Sequence, residues 1–517
     1  MTIAELLKGL KVRRVKGPLE EEIKGIAYDS RLVKEGFIFV AIRGFSFDGH
    51  AYIKDAIGRG AVGVVLEKEI KQQSSFPYDL QNGIAFAEVD DSREALAYLA
   101  SAFHKEPSKK LSLIGITGTN GKTTTSYILK SILEKWGKKV GLLGTINYII
   151  DKKIVAAPHT TPESLELQSY LRDMVDNGTE YAVIEISSHA LELKRLVGCS
   201  FELALFTNFS QDHLDFHGTM DEYFAAKRRL FARDYLAKDG YAILNWDDPM
   251  VRSLAGELTC NLITCGFEKG AMIRAENIEG YRMQDTGYRA QSTPSLPLPP
   301  QGWGGLSFEI QTPEGSFTVS SRLIGRINIY NILMAVGAAY ALGINRDVII
   351  EGIREVESIQ GRFERIDEGQ KFLCIVDYAH TEDALQKLVQ EARLITKGRV
   401  ITVFGCGGDR DRTKRPKMGA VAAELSDFVI LTSDNPRTEK PEEIIKGIIK
   451  GIKKDNYTVQ YDRSSAIKQA VAMAETGDTL LVAGKGHEDY QEINGMRYPF
   501  SDREEIRKAI QKLKIKN

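Results

Sequence analysis

At 517 residues the chain is too long for one hydrophobic core, since domains cluster at roughly 100–150 residues and rarely exceed ~250–300, so two or three domains are expected. Hydrophobic residues make up 43% and charged residues 27%, and no apolar run approaches the ~18 residues of a membrane span, which excludes a transmembrane protein. With 69 basic against 70 acidic residues, no global field draws the chain to nucleic acid or anionic lipid.

The start, MTIAELLKGLKVRR, lacks the charged segment, apolar stretch and cleavage site of a secretory signal, so a cytoplasmic protein is expected. The first block runs over residues 1–108 and ends in the polar linker HKEPSKK. The second, 109–358, alternates β-rich runs (LSLIGI, KVGLLG, YAVIEI, LALFTN, YAILN) with helical patterns. One of these places Ile128, Leu129, Ile132, Leu133 and Trp136 on one face, and the alternation marks a parallel α/β sheet. The segment 284–305 is rich in Pro and Gly and reads as an exposed loop. The helix NIYNILMAVGAAYALG should end with Gly343 at its C′ position. The third block, 359–517, carries FLCIVDY, RVITVFG, DFVILTS and DTLLVAG between helical stretches and reads as a smaller α/β unit. Cys199, Cys260, Cys265, Cys374 and Cys406 are scattered, without the paired spacing of a zinc site, and fit a reducing compartment.

The strongest local signal is GITGTNGKTTT, residues 115–125, between a β-rich run and an amphipathic helix. Its glycines let the backbone N–H groups of Gly118, Thr119, Asn120 and Gly121 converge on phosphate oxygens. Lys122 can reach the β/γ-phosphates, Thr123 can bind Mg²⁺, and Thr124 completes the run expected to bind ATP. The loop departs from the strict pattern at Ile116, where glycine is required. Phosphoryl transfer also needs metal ligands, and Glu185 and His213 follow β-rich runs where ligands gather in open α/β folds. A capping Glu and a core His are the structural alternatives. Lys227, in the helical DEYFAAKRRLF, reads on its own as a solvated lysine.

The run TGTNGKTT resembles the variant phosphate loop of the Mur ligase family, which includes cell-wall amino-acid ligases and folylpolyglutamate synthetase. HTTPE (159–163), EISSH (185–189), TNFSQDHLDFH (207–217) and DYAHT (377–381) extend the resemblance, in order, from about Ser30 to Glu488. It implies three α/β domains: a central P-loop ATPase-like parallel domain, an N-terminal UDP-binding domain and a C-terminal Rossmann-like domain. The implied reaction is ATP-dependent peptide ligation through an acyl phosphate, with ATP as co-substrate and Mg²⁺ as cofactor. It further implies a metal set of Thr123, Glu185, His213 and Lys227, the lysine carrying a CO₂-derived carbamate as N6-carboxylysine. Such a modification needs a neutral amine, which burial or the neighbouring Arg228 and Arg229 could favour. Lys122, Lys227 and His213 are then the catalytic set.

By the same resemblance, Asn331, Arg362 and Asp377 contact the nucleotide, and Ser30, Thr160, Thr161, Ser187 and Arg195 hold the UDP-muramoyl-dipeptide. Leu193 stands where the family pattern has glutamine. The amino-acid site is drawn from Arg410, from Asp434, Asn435, Pro436 and Arg437, and from Gly484 and Glu488. Members using meso-diaminopimelate carry the Asp-Asn-Pro-Arg tetrad and lysine-using members typically lack its arginine; a guanidinium can bind the distal carboxylate that lysine does not have. The expected acceptor is therefore meso-diaminopimelate, joined to the D-glutamyl residue of UDP-N-acetylmuramoyl-L-alanyl-D-glutamate by a monomer. A lysine-adding ligase, a folylpolyglutamate synthetase and a non-catalytic nucleotide switch are the competing readings.

Overall fold

The computed structural model describes residues 1–44, 47–67, 83–279 and 305–516. The Pro/Gly-rich segment expected as a loop lies, through residue 304, outside the described residues. Three large sheets organise the chain. The first has five strands in the order Val12–Lys16, Ala85–Val89, Ala61–Glu67, Phe37–Val40, Gly25–Ala27, parallel except for the outer pair at Val12–Lys16.

The central sheet has eleven strands. Its middle runs parallel through Val140–Leu143, Tyr181–Glu185, Ser112–Thr117, Phe201–Phe206, Leu236–Asn245, Asn261–Gly266 and Ile273–Glu279. Antiparallel strands extend it at both ends. Both faces are covered, so the strands are continuous apolar runs. Ile114 and Ile116 enter the core under the helices Lys122–Lys135 and Ile327–Ala341, while Leu113 enters the opposite core, as period-two alternation requires. On Lys122–Lys135 the predicted stripe is real: Ile128, Leu129, Ile132 and Leu133 are fully buried, with Trp136 at its edge. Ile327–Ala341 ends as expected, Gly343 following its cap at φ +67°.

The third sheet has six strands in the order Glu364–Arg365, Leu373–Asp377, Thr479–Ala483, Val400–Phe404, Phe428–Leu431, Tyr457–Val459, parallel after the first pair. This order sets the loops that begin at Tyr378, Gly484, Gly405 and Thr432 side by side on one edge. Beneath them Arg463 and Asp502 form a fully buried ion pair at 2.7 Å. Arg463 also donates to the carbonyls of Ala483 (2.9 Å) and Ser433 (3.4 Å), the residues preceding Gly484 and Asp434. Asp502→Asn leaves that guanidinium uncompensated, and is expected to cost about 3–5 kcal/mol in urea unfolding. Among the described residues, no helix is long and apolar enough to cross a membrane.

Candidate functional site

The loop after Ser112–Thr117 can turn only because two of its residues lack a side chain. Gly118 (φ +139°) and Gly121 (φ +86°) occupy backbone conformations that favour glycine. A Cβ at Gly118 would lie 2.0 Å from the Thr207 hydroxyl, and one at Gly121 2.4 Å from Asn331 Oδ1. Residues 207–208 brace the loop: Asn120 N donates to Asn208 Oδ1 (2.9 Å), and Asn208 Nδ2 and Thr207 Oγ1 donate to Asn120 O (2.9 and 2.6 Å). Ile116 departs from the strict pattern because it is still strand, with no exposed surface, and the core claims its side chain.

Lys122 and Lys227 converge on one atom. Each Nζ donates to the Gly118 carbonyl at 2.8 Å, and Lys122 also reaches the Thr119 carbonyl at 2.9 Å. The reading of Lys227 as a solvated side chain is therefore corrected, since it is 1% exposed. Burial first, and the Lys122 charge second, hold its pKa well below the ordinary 10.5; burial also lowers that of Lys122. Arg228 and Arg229 are not the cause, for they point outward to Glu257 and Glu192, each at 2.9 Å. The unfolded chain binds the Lys227 proton at pH values where the folded chain does not, so stability falls as pH drops from 10.5 towards the depressed folded value. Lys227→Met is thus expected to be more stable than wild type at pH 7 in CO₂-free buffer. The difference should shrink towards pH 10, as read by urea unfolding at both pH values.

Glu185, fully buried, accepts from the Thr123 hydroxyl (2.9 Å), the Thr145 hydroxyl (2.8 Å) and Thr145 N (3.0 Å). Thr145 has no motif around it and was missed in the sequence. His213 (φ +53°) faces Asp212 at 3.4 Å. Burial, with help from Lys227 and Lys122 and against Asp212, lowers its pKa to about 4, so the imidazole is neutral at pH 7 as a metal ligand must be. A carboxylate, a hydroxyl and a neutral imidazole beside a phosphate loop suit a hard divalent cation. Among the described residues no His, Cys, Asp and Glu cluster completes a metal site by itself. A cation held there would take its remaining ligands from phosphate oxygens or a further anionic oxygen.

Beside Glu185, Thr160 Oγ1 lies 3.2 Å from that of Thr145. Thr161 is fully committed within the protein: its hydroxyl donates to Glu185 O (2.8 Å) and accepts from Ser187 N (3.0 Å). Ser187 caps the helix Ser188–Glu192. Arg195 donates to Thr161 O (2.8 Å) and pairs with Glu163 (2.6 Å), so the chain itself supplies the carboxylate that this arginine is suited to hold. Leu193 is the C-cap of the same short helix. Ser30 is buried at the start of the turn Ser30–Leu32, its hydroxyl bonded to Asp55.

In the third sheet's loops, Arg437 sits at φ +52°, with its N donating to Glu492 O (3.0 Å) and its O accepting from Asn494 N (2.8 Å). Its guanidinium donates to Gly408 O (2.7 Å) and faces Glu492 (3.3 Å). The hairpin Tyr490–Ile493/Met496–Pro499 thus anchors it, a contact no sequence pattern announced. Gly484 (φ +114°) leaves room for Asp434, whose Oδ2 would lie 2.5 Å from a Cβ there. Pro436 is buried, and Arg410 is exposed on its loop. Glu488 accepts from Asn435 Nδ2 (2.8 Å) and from Lys485 (3.0 Å).

Between the second and third sheets a pocket is lined by Asn120, Gly121, Thr124, Asn331, Arg362 and Asp377, bringing together six of the residues expected at a nucleotide. Arg362 lies over the Tyr378 ring (4.7 Å) with its buried Nε unpartnered. Asp377 accepts from Phe363 N and Ala379 N, both at 2.7 Å; burial raises its pKa and Arg362 opposes the rise. Ser210 Oγ donates to Asp383 Oδ2 (2.7 Å) across the same cleft, and Ser210 N donates to the Thr119 hydroxyl (3.0 Å).

A parallel sheet ending in a braced glycine loop, with a second α/β unit closing over it, places the protein in the phosphate-loop class of multidomain α/β enzymes. The chain belongs to the Mur ligase family. Residues 22–104 match the Mur ligase family catalytic domain, 116–339 the Mur ligase middle domain and 361–486 the Mur ligase glutamate ligase domain. The chain is 43% identical over 516 residues to UDP-N-acetylmuramoyl-L-alanyl-D-glutamate--2,6-diaminopimelate ligase of Clostridium botulinum, covering 99% of this chain and 100% of that one. The protein of the same name from Geobacter metallireducens is 41% identical over 537 residues, with coverages of 100% and 99%. A solved structure bearing this name aligns over 99% of both chains at 31% identity and a TM-score of 0.66. Folylpolyglutamate synthase of Mycobacterium tuberculosis, solved with ADP and AMPPCP, shares the fold at 15% identity and a TM-score of 0.58 over 76% of this chain and 92% of that one.

Proposed function

We propose that the chain is an ATP-dependent ligase that joins meso-2,6-diaminopimelate to the D-glutamyl residue of UDP-N-acetylmuramoyl-L-alanyl-D-glutamate in peptidoglycan precursor synthesis, working as a cytoplasmic monomer. The observation that carries the choice of acceptor is Arg437, closing the Asp-Asn-Pro-Arg tetrad at a backbone position held by Glu492 and Asn494. Full-length likeness to relatives of that name supports it. The domain limits are taken as 1–108 for the UDP-muramoyl end, 109–358 for ATP and 359–517 for the amino acid.

ATP transfers its γ-phosphoryl to the γ-carboxylate of the D-glutamyl residue, and the diaminopimelate amine then attacks the acyl phosphate through a tetrahedral intermediate, releasing phosphate. The loop backbone from Gly118 to Gly121 and the Lys122 ammonium hold the phosphates, while Thr124 closes the first turn. Arg362 and Asp377 position the nucleotide with Asn331, and Arg195, Thr160, Thr161, Ser187 and Ser30 shape the path of the muramoyl substrate. Arg410, Arg437 and Glu488 bind the charged ends of the amino acid, with Asp434, Asn435, Pro436 and Gly484 forming the wall. Thr123, Glu185, His213 and Lys227 would hold Mg²⁺, which when bound neutralises charge on the transferring group. Lys227 serves there as a carbamate: its neutral Nζ adds to the carbon of CO₂ and loses one proton, turning a donor into an anionic oxygen ligand. A ¹³C carbamate resonance after incubation with ¹³CO₂, absent in Lys227→Met, is the expected result.

The test of the whole reading combines Mg·ATP, the muramoyl dipeptide and either meso-diaminopimelate or L-lysine, following product mass and released phosphate. Product with diaminopimelate alone supports it. Product with lysine alone overturns the acceptor, and no product with either overturns the ligase.

A further inference from the structure

A buried cation among the amino-acid-site residues is left unused by that mechanism. Lys485 has no exposed surface, yet its Nζ lies 2.9 Å from Asn435 Oδ1 and 3.0 Å from Glu488 Oε2, with the Tyr490 ring 5.5 Å away. An ammonium in such a place is costly unless paired and fully hydrogen-bonded, and hydrophobic side chains of similar size usually serve stability as well. Its partners are what distinguish it. Asn435 belongs to the tetrad that ends in Arg437, and Glu488 is the carboxylate expected at the distal ammonium of the amino acid.

The bonds interlock. Asn435 Oδ1 also accepts from Glu492 N (2.9 Å), and Asn435 Nδ2 donates to the same Glu488 oxygen that Lys485 holds (2.8 Å). Lys485 and the Glu492 N–H together fix which end of the Asn435 amide is the acceptor, and that amide, with Lys485 itself, orients Glu488. Both donors fall on Oε2 of Glu488, so among the described residues Oε1 is left for a further donor. Glu492 meanwhile faces Arg437. The two substrate-reading charges, one anionic and one cationic, are tied into a single network with Lys485 at its buried centre.

We propose that Lys485 is a positioning residue that sets the geometry of Glu488 and the Asn435 amide, and so the affinity for an amino acid with a distal ammonium. This rests on the proposed ligase function, so wild-type ligation is measured first; its absence would indict that function and leave Lys485 out of the question. Given ligation, Lys485→Met is expected to raise the diaminopimelate KM roughly 10- to 100-fold, the range for losing a hydrogen bond to a charged group. KM for ATP and for the muramoyl dipeptide should stay within about threefold, since Lys485 bonds to Asn435 and Glu488 and to none of the residues proposed for those two substrates. Because Lys485 acts through Glu488, Lys485→Met/Glu488→Gln should be no worse than Glu488→Gln alone.

An unchanged diaminopimelate KM overturns the proposal. So do equal rises in all three KM values with a lowered melting temperature, or a double variant as poor as the product of the two single effects. Lys485→Gln, which keeps a donor one bond shorter, is the second variant, expected to recover part of the KM; failure of both variants to fold would make Lys485 a structural residue only.

Discussion

Lys122→Met is expected to lower phosphate release by about 10³-fold or more, because two separate functions end with one side chain. Removing a single preorganised charge from a site where charge develops typically costs 10²- to 10³-fold. Here the same ammonium also lies against Lys227 through the shared Gly118 carbonyl and is the second cause, after burial, of that lysine's lowered pKa. Without Lys122, Lys227 regains proton affinity, and less of it is the neutral amine that can take up CO₂. The variant should therefore show a smaller ¹³C carbamate signal at pH 8 as well as slow turnover. Nucleotide affinity measured by calorimetry separates the contributions: weakened ADP binding reports the phosphate contact alone. Full turnover in Lys122→Met would remove the phosphate loop from the mechanism.

What could be read before folding, and what could not, follows from the range of the interactions involved. The strands of the central and third sheets announce themselves as short apolar runs because burial on both faces leaves no polar alternation. The phosphate loop is legible because its glycines, its lysine and its helix are adjacent in the chain. Long-range partners leave no such trace. Thr145 meets Glu185 across 40 residues and Tyr28 meets Glu166 across 138, and neither pair has a local pattern. Lys227 looks solvated because its helix, Met220–Arg228, is amphipathic with charges on both sides of it; only the packing of Tyr223 and the loop over it reveals the burial. Arg228 and Arg229 look adjacent to Lys227 in sequence, yet a helix turns successive residues to different faces. Lys485 stands inside GKGHE beside residues that were assigned roles, and its function is visible only when Asn435, 50 residues away, is brought to it.

The second large effect concerns acceptor choice. Arg437→Leu is expected to lower kcat/KM for meso-diaminopimelate by roughly 10²- to 10⁴-fold, the cost of stranding the carboxylate that the proposed function pairs with this guanidinium. For L-lysine, which has no distal carboxylate, the change should be small or favourable, so the ratio of the two kcat/KM values collapses. The geometry argues that Arg437 is preorganised: its backbone is pinned on both sides by the hairpin, and Gly408 O and Glu492 orient its side chain. Glu492 is also a carboxylate already on that arginine, and an incoming one must share or displace it. Glu492→Gln should therefore tighten diaminopimelate binding modestly, within about tenfold, while Arg437→Leu abolishes selectivity. Competition between the two amino acids in one reaction, read by product mass, gives the ratio directly. If Arg437→Leu keeps its preference for diaminopimelate, the distal carboxylate is read elsewhere. Arg410 would then be the residue to replace, since it lies on the neighbouring loop that follows Val400–Phe404.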